Sequence, residues 1–162
     1  MNIGDPYLFS IIISKVEEWN IDDAFDNGVL FFCINGELFP KKIINATLKY
    51  EIPMLKEKLL NVAIDKRLFN LPSDKVLVEL YDFTFSEEDD RDDDYRFNVT
   101  PDCFADLDYY MFAVSDGNRV RILATKLCYE RKNARHILQN LDIHETYVSL
   151  DEMRILLSKL KN

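Results

Sequence analysis

A chain of 162 residues with 48% hydrophobic and 12% aromatic residues has the length of one domain and enough apolar content for a packed core, which excludes a disordered or linker-like polypeptide. Its 29 acidic against 20 basic residues leave a formal charge of −9. That balance disfavours nucleic acid and anionic membrane surfaces as partners, because both select clustered Lys and Arg. The same charge attracts basic proteins, or it serves solubility alone.

The opening residues Met1 to Pro6 show no basic stretch followed by an apolar run and a cleavage site. The longest apolar runs, such as Val29 to Ile34, are too short to span a bilayer. Cys33, Cys103 and Cys128 are scattered among apolar segments and read as buried thiols in a reducing cytoplasm. Leu8 to Val16 is rich in β-branched and aromatic residues and predicts a strand, with Trp19 at its end as a core or core-edge residue. Asp26-Asn27-Gly28 signals a turn, Val29 to Ile34 a second strand, and Asn35-Gly36 a tight hairpin into Glu37-Leu38-Phe39. The first 40 residues therefore read as a three-stranded meander.

From Pro53 to Ile64 the period changes. Leu55, Leu59, Val62 and Ala63 recur at helical spacing, with Pro53 placed in the first turn. Lys75 to Phe83 reads as a helix or a buried strand, and the preceding Leu71-Pro72-Ser73-Asp74 favours the helix by offering a cap. Glu87 to Asp94 then places seven acids in eight residues, a run whose repulsion predicts an exposed loop inserted near 86–94. Tyr95 to Val99 follows. Tyr109 to Val114 and Arg119 to Ala124, joined through Asp116-Gly117, predict a second hairpin, and His144 to Val148 a further strand. Ser149-Leu150-Asp151-Glu152 is a capping box opening a last amphipathic helix. Strands paired with their sequence neighbours and two to three helices predict an α+β fold, with an antiparallel sheet, in one domain spanning 1–162.

Motifs for catalysis are missing from the sequence. The four glycines form no phosphate-binding loop, and His136 and His144 are not at metal-ligand spacing. No cofactor is expected. The acidic run departs from a calcium-loop template, lacking the central Gly and the closing Glu. Two readings of it stand: a solvated loop, or a docking surface for a basic protein made of Glu87, Glu88, Asp89, Asp90, Asp92, Asp93 and Asp94 with Asp102, Asp106 and Asp108 downstream. Tyr95, Phe97, Phe104, Tyr109 and Tyr110 are interleaved there, as interface anchors or as core.

Ile3-Gly4-Asp5-Pro6-Tyr7-Leu8-Phe9, Val16-Glu17-Glu18-Trp19, Asn27-Gly28 and Ile34-Asn35-Gly36-Glu37-Leu38-Phe39-Pro40 stand in the order found in the immunity protein 42 family, which the chain resembles. The likeness is strongest over residues 3–40 and continues loosely through Thr47-Leu48, Leu68-Phe69 and Leu80-Tyr81. It implies a cytoplasmic antidote of a polymorphic-toxin or contact-dependent growth inhibition system. Such a protein binds the C-terminal domain of its cognate toxin, commonly a basic nuclease, and covers its active site. The family brings no catalytic residues to carry over. Outside that resemblance, two other classes stay open: a small hydrolase or transferase, which needs a pocket of convergent titratable groups, and an adaptor that self-associates through its aromatic strands.

Overall fold

A computed structural model describes residues 1–21, 24–88 and 90–160. Strands β1 (Asn2–Asp5), β2 (Phe9–Lys15), β3 (Asn27–Ile34), β4 (Glu37–Phe39) and β5 (Asn45–Thr47) form one antiparallel sheet in the order β1-β2-β3-β4, with β5 also on β3. Helix α1 (Leu48–Leu60), the single-turn α2 (Lys66–Phe69), α3 (Ser73–Thr84) and the single-turn α4 (Asp102–Ala105) follow. Then come β6 (Tyr109–Ser115), β7 (Arg119–Lys126), the small hairpin β8 (Cys128–Glu130) and β9 (Arg135–Ile137), β10 (His144–Ser149) and α5 (Leu150–Ser158). A second antiparallel sheet has the order β10-β7-β6. The expected α+β fold is borne out.

Burial patterns explain the layering. Strand β3 alternates between buried and half-buried residues along its whole length, as a sheet with one covered face must. Strands β6 and β7 are buried almost continuously, so the second sheet is covered on both faces. One face (Met111, Ala113, Ile122, Ala124) packs with Phe9, Ile11, Leu30 and Phe32 of the first sheet and with Leu55 and Leu59 of α1. The other (Tyr110, Phe112, Val114, Leu123) packs on Leu68 of α2 and Val76, Leu77 and Leu80 of α3. Arg121 sits on this second side, 2% exposed at its side chain. It donates to Glu145 Oε2 at 2.7 and 3.0 Å, to the carbonyls of Phe69 and Leu71 at 2.9 and 2.6 Å, and to Ser73 Oγ at 3.3 Å.

Both hairpin turns form as expected. Asn35 and Gly36 take φ of 50° and 83° between β3 and β4, and Gly117 takes 100° between β6 and β7. The capping box is also present: Ser149 Oγ accepts from the Glu152 N–H at 3.1 Å, and Glu152 accepts from the Ser149 N–H at 3.0 Å.

Other expectations need correction. The meander gains β1 and β5, whose Asn, Gly and Thr residues carry no strand pattern and which exist through pairing with β2 and β3. Trp19 does not end a strand; it lies on a 3-10 turn, Glu17–Trp19, with no buried residue. Helix α1 begins at Leu48, five residues before Pro53, and stops at Leu60. Pro53 is thus interior and exposed, and burial of Leu48, Ile52, Leu55 and Leu59 outweighs its lost hydrogen bond. The segment 73–84 is a helix, yet Ser73 does not cap it, since its hydroxyl serves Glu145 and Arg121. Cys128 is exposed, and Cys33 and Cys103 are only partly buried.

Candidate functional site

The acidic segment hangs from the end of α3 and is closed by backbone. Asp94 donates its N–H to the Phe83 carbonyl at 2.7 Å, and the Ser86 N–H reaches Asp93 Oδ1 at 3.0 Å. Arg91, the one cation within the run, turns back over the Phe83 ring at 5.4 Å and donates to Ser86 Oγ at 3.2 Å and to the Asp82 carbonyl. Asp93 also accepts from the Tyr95 hydroxyl at 3.2 Å, and Asp94 pairs with Arg96 at 2.8 Å. Glu88, Asp90 and Asp92 are exposed and, among the described residues, their carboxylates carry no hydrogen bond or ion pair. Asp89 lies outside the described residues. The run therefore divides into carboxylates that hold the loop and carboxylates that face water.

The β8–β9 hairpin ties this loop to Asp108. Arg135 pairs with Glu87 at 2.8 Å. On the next residue of β9, His136 Nδ1 lies 2.7 Å from the Tyr81 hydroxyl and Nε2 lies 2.8 Å from Asp108 Oδ1. The His136 N–H donates to the same hydroxyl oxygen at 3.4 Å, an arrangement that the Nε2–H tautomer completes with the hydroxyl donating to Nδ1 and Nε2–H to Asp108. A Tyr–His–Asp row has the form of a proton relay. Here its tyrosine is 4% exposed and its histidine is ringed by Phe85, Tyr110 and Tyr129. The row fastens the hairpin to α3.

Asp102 lies apart, against α1. Its N–H and that of Cys103 donate to Glu51 at 3.0 and 2.8 Å, so the buried Glu51 carboxylate closes the first turn of α4. The Asp102 side chain is 3.9 Å from Lys58, and its charge raises the Tyr50 hydroxyl above its ordinary value. Asp106 is exposed between Asp102 and Asp108. The nine of these acids that are described thus fall into a loop-and-hairpin group and an α1-side group. Of the interleaved aromatics, Phe97, Phe104 and Tyr110 are core, Tyr109 is half-buried and Tyr95 is 60% exposed. Sequence reasoning missed the His136 row and the exposed residues near Trp19. The second could have been read from apolar residues set among acids without any strand period.

Burial pushes the Tyr81 hydroxyl up, and burial with the nearby Asp108 charge pushes Tyr110 up to about 12. Both folded-state values lie above the ordinary 10.0, so the native state holds these protons more tightly than the unfolded chain does. Their contribution is fully present below pH 10 and is lost as pH rises towards about 12. Urea midpoints should fall across that window, and Tyr110→Phe should flatten the fall; an unchanged slope would refute the assignment.

Among the described residues, no group of three or more His, Cys, Asp or Glu side chains is arranged to hold a metal ion, and no helix is long and apolar enough to cross a membrane. The family model described as immunity protein 42 matches residues 1–162. The fold is similar to the crystal structure of CdiI from Burkholderia dolosa AUO158, with a TM-score of 0.78, 23% identity, and coverage of 98% of this chain and 96% of that one. No curated protein matches the chain.

Proposed function

The chain belongs to the immunity protein 42 family, and from that premise we propose that it neutralises a cognate toxin domain of a contact-dependent growth inhibition or related polymorphic-toxin system by binding it in the cytoplasm. The whole-length family match carries this reading. The toxin domain is a cationic nuclease, and the immunity protein acts by covering its active site without doing chemistry of its own. The surface it offers is the carboxylate set Glu87, Glu88, Asp90, Asp92, Asp93 and Asp94, extended by Asp102, Asp106 and Asp108, with Asp89 in the same run. Supporting it are the net charge of −9 and the water-facing carboxylates at 88, 90 and 92, which speed encounter with a basic partner.

Co-expression tests it. A host producing the toxin domain encoded immediately upstream should survive only with this chain present, and the two should copurify at one to one. The purified domain should degrade nucleic acid, and a molar equivalent of this chain should stop it. Absence of a complex ends the immunity reading, whereas a complex with a domain inert on nucleic acid removes only the nuclease.

A further inference from the structure

Between β2 and β3 the chain makes an excursion whose apolar residues face outward. Ile21 is 100% exposed, Phe25 59% and Trp19 38%. Isolated exposed apolar residues are ordinary, but three large ones within seven positions, on a fixed base, are not. The base is a clasp of two asparagines. Asn20 Nδ2 donates to the Val16 and Asn27 carbonyls at 2.7 and 2.9 Å, and the Asn27 N–H donates to Asn20 Oδ1 at 2.7 Å. Asn27 Nδ2 in turn donates to the Trp19 carbonyl at 3.2 Å. The turn holding Trp19 is thus fixed before any partner arrives, which lowers the entropy cost of burying it.

The surroundings name the partner's chemistry. Glu17 and Glu18 precede the tryptophan and are both exposed, and Asp26 follows Phe25 in an ion pair with Lys15 at 2.9 Å. Apolar side chains inside a carboxylate rim suit a protein surface with an apolar pocket and a cationic border. This excursion also abuts the start of α1. The Leu48 N–H, opening α1, donates to the Asp26 carbonyl at 2.7 Å. The other end of α1 borders a groove of about 280 Å³ lined by Met54, Glu57, Lys58, Tyr95 and Arg96, and that Arg96 pairs with Asp94. Tyr50 and Asp102 lie along the way. A 13-residue helix is about 20 Å long, and a standard interface of about 800 Å² per partner is roughly 30 Å across. A partner of that size is wide enough to span the length of α1.

We infer that Trp19, Ile21 and Phe25 are apolar anchors that hold the same cationic toxin domain which the acidic segment attracts. This rests on the immunity reading and adds a division of labour: carboxylates at 88–92 set the association rate, and the clasped excursion sets the dissociation rate. The test uses the full chain and the toxin domain encoded immediately upstream, with kinetics followed by surface-immobilised binding at two salt concentrations. Ile21→Ser alone, fully exposed and without packing to lose, should raise the dissociation rate several-fold. Ile21→Ser with Phe25→Ser should raise it at least tenfold, with the association rate held within twofold. An unchanged dissociation rate in an intact complex overturns the inference and leaves the immunity reading standing; absence of any complex with the unaltered chain overturns that reading itself. Light scattering of the free chain supplies the remaining outcome. If these substitutions convert a dimer to a monomer without altering toxin dissociation, the excursion serves a second copy and the inference fails.

Discussion

Replacing Arg121 with Met should cost about 3–5 kcal/mol of unfolding free energy, the range for removing one partner of a buried ion pair. The geometry gives three reasons. Glu145 loses two donors on one carboxylate oxygen, the carbonyls of Phe69 and Leu71 lose theirs, and Ser73 loses a neighbour that orients its hydroxyl. These groups belong to three separated parts of the chain: β7, the connection from α2 to α3, and β10. The guanidinium is what joins them across the second face of the inner sheet. Arg121→Lys keeps the charge but not the fork, so it should recover only part of the loss. In a domain whose total stability is about 5–15 kcal/mol, that loss removes a large share of the margin. Urea unfolding by fluorescence and circular dichroism checks this, and a loss under about 1 kcal/mol would mean that these contacts contribute little net free energy.

Reversing Glu88, Asp90 and Asp92 to Lys should slow association with the toxin domain by about 100-fold at low salt, within the range that steering supplies. These three are the right targets because their carboxylates hold nothing among the described residues, so the fold should not respond. Asp93 and Asp94 are poorer choices, since they accept from Ser86 and Arg96 and keep the loop closed. The deficit should shrink as salt rises, because the screening length falls to about 8 Å at physiological ionic strength. Neutral replacements, Glu88→Gln, Asp90→Asn and Asp92→Asn, should lie between. Equal association rates for all three proteins would remove the acidic segment from the encounter and leave the interface elsewhere on the molecule.

What the sequence made legible was local. Asn35-Gly36, Asp116-Gly117 and the Ser149–Glu152 box each carry their instruction within four residues, and each formed as read. What it hid depends on distant partners. Strand β1 is Asn-Ile-Gly-Asp, a poor strand until Phe9 to Ile12 pairs with it. Pro53 argued for a helix start and was overruled by Leu48 and Ile52, which find the sheet only after folding. The candidate site shows the same division. Its charge was plain in the run Glu87 to Asp94. Which carboxylates brace the loop and which face water was decided by Arg91, Ser86 and Arg96, and period and composition do not report such contacts.

Closure of the acidic segment at its base by the Asp94 to Phe83 backbone bond, with Ser86, Arg91 and Arg135 bracing it, makes it an exchangeable part. Residues 86–93 return to nearly the point they left, so a replacement of another length or charge meets the scaffold at the same two doorposts. Doubling such a loop adds only about 0.6 kcal/mol of closure entropy. If the segment is the proposed toxin-binding surface, related chains could rewrite it while the inner sheet keeps its shape, and swapped segments should carry partner preference with them.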